Sequence, residues 1–175
     1  GFRAIAPRFD GSTAVARLKA DGTVEIETGE IELGQGMSLT YARIAGQALG
    51  VPEADIVVKS GDTGRYPFGI GTLASRSTVM GGNAALKAAE ALARRIDELA
   101  RLQLGDGAET GGTRPYTLRE AAAWHRARHA GEELEVKETY VPDTELPDAT
   151  MYGHPSPNYP FAAHVAEVEI DPDTG

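Results

Sequence analysis

Apolar and polar residues alternate along residues 13–20 and again along residues 23–28, on either side of Asp21-Gly22. Period-two alternation puts every second side chain on one face of a strand. Asp-Gly between two such runs is a strong hairpin signal, so the pattern predicts a β-hairpin with one buried face. From residue 37 to residue 49 the spacing becomes helical, through Leu39, Ala42, Ile44, Ala45, Ala48 and Leu49. Ser38 is the candidate cap for this helix, and Gly50 with Pro52 ends it. Ile56-Val57-Val58 is short and β-branched, which predicts a buried strand. The clearest helix runs from Asn83 to about Leu104, where Ala84, Ala85, Ala88, Ala89, Leu92 and Ile96 form one apolar stripe. Thr117-Leu118-Arg119-Glu120 reads as a capping box opening a short helix to about Ala127. Residues 134–140 alternate as a strand, residues 143–160 read as a proline-rich loop, and residues 161–170 alternate again, predicting a final strand.

These elements predict an α+β fold, with a mixed sheet of a hairpin plus further strands packed against two main helices. The 175 residues suit a single domain, or one domain-sized part of a larger subunit. The chain starts without Met and closes on the turn sequence Asp171-Pro172-Asp173-Thr174-Gly175, which reads as a piece of a longer protein. Its 41% hydrophobic and 25% charged residues are ordinary for a soluble globular protein. Seventeen Lys+Arg against 26 Asp+Glu give a net charge of −9, which argues against nucleic acid or an anionic membrane as main partner. No apolar run approaches the ~20 residues of a membrane span, and the start lacks a signal-peptide pattern. A cytoplasmic location is expected, with the periplasm as an alternative. With no cysteine, the chain has no disulfide, thiolate metal site or cysteine nucleophile.

The candidate chemistry sits at junctions between strands and helices. Residues 60–84 combine six glycines with Thr63, Thr72, Ser75, Ser77 and Thr78, ahead of the long helix. Glycines admit positive φ and close backbone approach, short hydroxyls donate and accept, and a helix start attracts anions. Gly34-Gln35-Gly36 is a second glycine-rich turn before a helix, and its amide could read a polar ring edge. It fits a tight turn or a ligand-facing loop. His125 and His129 at i, i+4 could share a metal on one helix face, but no third ligand is evident and a solvated helix end is the simpler reading. Glu25, Glu27, Glu135, Glu167 and Glu169 read as solvated strand faces, and Asp62 as a turn cap. No Ser/His/Asp set declares itself, so the residues alone predict a cofactor-binding module without catalytic machinery of its own.

The ordered runs Glu32-Leu33-Gly34-Gln35-Gly36, Gln47-Ala48-Leu49-Gly50-Val51-Pro52, Ser60-Gly61-Asp62-Thr63, residues 71–78 and Gly82-Asn83-Ala84 resemble the molybdenum-cofactor-binding large subunit of the xanthine dehydrogenase family. That family includes aldehyde oxidoreductases and carbon monoxide dehydrogenases. The end of the chain, residues 159–175, is similar to it as well. The resemblance implies a molybdenum hydroxylase acting on an aldehyde, N-heterocycle or similar small molecule, with water as oxygen source. It implies molybdopterin, in its cytosine dinucleotide form, with molybdenum held by the cofactor and no protein ligand. Gly34, Gln35 and Gly36 would contact the pterin; Gly71, Thr72, Ala74, Ser75, Arg76 and Ser77 would line it, with Ala74 and Ser75 nearest the metal. Partners would be the rest of the large subunit and iron–sulfur and flavin subunits. The family's catalytic glutamate falls in a Gly-Glu motif beyond residue 175, so this stretch alone is expected to be inactive. Gly64 stands where many relatives carry Asp. A non-catalytic small-ligand or protein-interaction module on the same scaffold is the alternative.

Overall fold

The computed structural model describes residues 11–65, 69–105, 114–145, 147–150, 152–156, 159 and 161–175. The hairpin forms around Asp21-Gly22, with β1 (Ser12–Leu18) antiparallel to β2 (Val24–Thr28) and Ala16 opposite Ile26. Asp21 fixes the turn, its carboxylate accepting from the Thr23 amide at 3.0 Å. Helix α1 (Met37–Leu49) crosses over to β3 (Ile56–Ser60), which lies parallel to β2. After α2 (Gly82–Leu104) and α3 (Leu118–Arg128), β4 (Leu134–Tyr140) returns antiparallel to the free edge of β1. The sheet order is therefore β3-β2-β1-β4, a mixed sheet in an α+β fold as expected.

One face of the sheet presents Ala14, Ala16, Leu18, Val24, Ile26 and Leu134, all buried against α1 and α2. The small residues of α2, Ala84, Ala85, Ala88 and Ala89, let that helix seat closely on β1 and β4. Thr117 and Glu120 form the expected capping box, and Gly50 ends α1 in the left-handed region.

The structure corrects three expectations. Residues 161–170 form no strand, and Phe161 and Val165 are 95% and 98% exposed. Alternation supplies an apolar face, but a strand also needs a neighbouring edge to bond, and none of the four described strands pairs with this segment. Ser38 does not cap α1: the cap position is Gly36, and a carboxylate from Glu32 takes the free amides instead. Glu25 and Glu27 are buried, because Arg17 and Arg65 cover them on the outer sheet face. Burial opposes ionisation of Glu25, yet Arg65, Lys19 and Arg17 together outweigh it and hold the carboxyl below its ordinary value.

Candidate functional site

The two glycine-rich segments meet at one hydroxyl. Thr72 Oγ1 accepts from the Ile31 amide at 2.8 Å and donates to the Ile31 carbonyl at 2.7 Å, as a strand neighbour would. Ser77 Oγ lies 3.3 Å from the same oxygen. Residues 31–36, leaving β2, are thereby stitched to residues 71–77, entering α2.

On the first segment Gln35 turns its amide onto its own loop, accepting from the Leu33 amide at 2.6 Å and donating to the Ile31 carbonyl at 3.1 Å. Gly34 and Gly36 have φ of 96° and 79°, and a side chain at either would meet nothing within 4 Å. Glycine is there for the backbone angle, and the main chain stays open on that side. Glu32 accepts from the amides of Gly34, Gly36 and Ser38 at 2.9, 3.0 and 2.9 Å. These bonds, Ser38 first, hold its carboxyl below the ordinary glutamate value. The start of α1 is thus already satisfied by an anion of the chain's own.

On the second segment the Arg76 amide bonds the Leu73 carbonyl at 3.1 Å, closing a turn whose central residues, Ala74 and Ser75, have φ of 46° and 59°. Two successive non-glycine residues in the left-handed region cost roughly 1–2 kcal/mol each. Both are exposed at the crest of the turn. Beneath them Arg76 is 1% exposed, its guanidinium paired with Glu30. Ser77 to Gly81 make a single π-helical turn before α2, so the helix starts one residue earlier than expected and through a wider turn. Tyr41, buried under that turn, donates from Oη to the Ser77 carbonyl at 2.7 Å, and burial pushes its hydroxyl far above the ordinary tyrosine value.

Seven of the nine residues singled out from the sequence are exposed or half-buried on the two joined segments: Gly34, Gln35, Gly36, Gly71, Thr72, Ala74 and Ser75. Ser77 and Arg76 lie buried behind them. Exposed Ile31, Leu33, Leu39, Ile70 and Leu73 give the same two loops an apolar skirt. Sequence reasoning missed Glu30, Glu32, Ser12 and Tyr41. The inward parity of Val24, Ile26 and Thr28 continues to Glu30 and could have flagged a buried acid. A carboxylate shortly before a helix start could have flagged Glu32. Asp62 caps a turn as expected, accepting from the Gly64 amide at 2.9 Å.

A cavity of ≈ 560 Å³ runs along the outer sheet face past Arg17, Glu27, Arg65 and Lys137 and reaches Glu30, Ile70 and Arg76 beside the second segment. Another of ≈ 520 Å³ lies away from both segments, between the hairpin turn and the start of α3. The candidate surface is open. His125 and His129 stack with ring centroids 4.2 Å apart, and no group of three potential metal ligands occurs among the described residues. Hydroxyls, an amide, bare main chain and an apolar skirt are the groups these segments offer a ligand. They do not suit a phosphate at the α1 start, where Glu32 already sits. Among the described residues no helix is long and apolar enough to cross a membrane.

The whole chain, residues 1–175, matches the family model described as molybdopterin cofactor-binding domain. The carbon monoxide dehydrogenase large chain of Afipia carboxidovorans is 30% identical over 93% of this chain and 20% of its own length. The gamma subunit of the 6-hydroxypseudooxynicotine dehydrogenase complex of Paenarthrobacter nicotinovorans is 29% identical over 94% of this chain and 21% of its own. In structure, quinoline 2-oxidoreductase from Pseudomonas putida 86 superposes with a TM-score of 0.65 at 28% identity, covering 76% of this chain and 19% of that one. The Cu,Mo-CO dehydrogenase gives a TM-score of 0.64 at 29% identity, covering 75% and 18%. The chain spans about a fifth of the length of these relatives. It belongs to the molybdopterin cofactor-binding domain family, with carbon monoxide and xanthine dehydrogenases among its relatives.

Proposed function

We propose that residues 31–36 and 71–77 form one wall of the molybdopterin pocket of a molybdenum hydroxylase, one that oxidises an aldehyde, N-heterocycle or similar small molecule with water as oxygen source. The observation that carries this reading is the Thr72 hydroxyl, which ties both loops through Ile31 into a single open surface. Gln35 would turn its amide from its own loop to the pterin edge. Ala74 and Ser75 would present main-chain and hydroxyl groups nearest the molybdenum, while Leu33 and Leu73 shield the ring from water. The bound cofactor, in cytosine dinucleotide form, supplies the redox chemistry, and the chain supplies orientation. Electrons would leave to iron–sulfur and flavin subunits, and the catalytic acid–base group would come from outside residues 1–175.

In the holoenzyme, Gln35→Ala and Ser75→Ala should each lower molybdenum per chain, measured by elemental analysis after gel filtration. Unchanged metal content in both variants would remove the assigned role. The 175-residue chain alone should show no dye-coupled oxidation of aldehydes or N-heterocycles, and turnover there would contradict the assignment of the acid–base group elsewhere.

A further inference from the structure

An ion pair with both partners 1% exposed lies directly behind the candidate surface. Arg76 donates to Glu30, to the Gly71 carbonyl at 3.1 Å and to the Gly11 carbonyl at 2.7 Å. Glu30 also accepts from Ser12 Oγ at 2.8 Å and from the Thr28 hydroxyl. The pair is thus satisfied on both sides, and it joins the start of β1, the end of β2 and both ends of the 71–76 loop. A buried ion pair of this kind is seldom the most stable filling for its space, since well-packed apolar residues do as well or better. What an apolar filling would lack is direction. The planar fork of an arginine fixes three acceptors at once, which a lysine cannot do.

The exposed half of the same loop has an unfavourable geometry to maintain. Ala74 and Ser75 hold positive φ without being glycine, and they are tied to the fold by the Arg76 that follows them. The geometry points to Glu30 and Arg76 as a positioning latch that holds the Ala74-Ser75 crest in its left-handed bend toward the cofactor. This inference rests on the pocket-wall reading. It moves Arg76 from a residue that touches the cofactor to one that acts through its neighbours, and it adds Glu30, which no motif in the sequence marked.

The test uses the holoenzyme and four variants. Replacing both charges together, Glu30→Met with Arg76→Met, leaves no unpaired charge but takes a partner from the Gly11 and Gly71 carbonyls and the Ser12 and Thr28 hydroxyls, so the urea midpoint should fall. Cofactor retention, measured as molybdenum per chain through successive gel-filtration passes, should weaken about 10-fold, the range in which outer-shell partners act on bound groups. The electron paramagnetic resonance signal of the remaining molybdenum should also change shape, a readout that a purely stabilising pair would not move. Arg76→Lys keeps the charge but loses the fork, and should shift both readouts in the same direction. It decides the matter if the double variant does not fold. Wild-type retention and an unchanged signal in Arg76→Lys would overturn the latch. Loss in Ser75→Ala with none in Arg76→Lys would overturn the latch alone, whereas no loss in Gln35→Ala and Ser75→Ala would overturn the wall itself.

Discussion

Gly81 shows how tightly single residues are held behind the candidate surface. A Cβ there would lie 1.8 Å from Tyr41 Oη and 2.7 Å from Glu30 Oε2, both fixed by buried hydrogen bonds. Neither neighbour can yield without breaking the bonds that set the π-helical turn. Gly81→Ala should therefore cost about 3 kcal/mol, the upper end of what overpacking a core costs. Urea denaturation of the purified protein measures it, and a loss below about 1 kcal/mol would show that Tyr41 has another place to go. The requirement could not be read from Gly81-Gly82 in the sequence, which served equally well as a flexible loop end. The same holds for Glu30 and Arg76. Forty-six positions separate them, and a charge is recognised as buried only when the chain brings its partner to it. Gln35 and Ser75 stand out in the sequence because glycines and hydroxyls cluster at strand-to-helix junctions, and the Thr72 hydroxyl joins the two segments that carry them.

Elements whose cause is local were legible to within a residue or two. The hairpin needs only Asp21-Gly22 and its flanking alternation, and β4 has the predicted limits. Helix α3 starts where Thr117 and Glu120 satisfy each other's amides, with Glu120 Oε2 accepting from the Thr117 amide at 2.7 Å. Thr117→Ala removes one arm of that box and should lower stability by about 1 kcal/mol. An unchanged urea midpoint would mean that α3 is held by packing alone. Residues 161–170 failed because their cause is not local. Alternation says what a strand would bury and nothing about the edge it would join. The start of α1 was misread for a related reason: Ser38 and Glu32 are both plausible caps in the sequence, and only the loop geometry brings the carboxylate to three amides.

At the scale of the molecule, two differently built faces of one sheet do different work. The inner face holds the apolar core against α1 and α2, and the outer face carries buried carboxylates under Arg17 and Arg65. Helix α3 closes one end of the core, and His125 is its buried polar residue facing α2. Burial lowers the His125 pKa from its ordinary 6.5; the nearby cations His129 and Arg95 push the same way, and Glu132 opposes them. A folded-state value below the unfolded one means that the unfolded chain binds the proton more readily. The contribution of neutral His125 is therefore complete above pH 6.5 and declines as the pH falls from there through the lowered folded value. The urea midpoint should therefore drop as the pH is lowered through 6.5 toward the depressed folded value. His125→Leu, which keeps the site filled without a titrating ring, should flatten that dependence. A slope that survives the substitution would place its origin in another group.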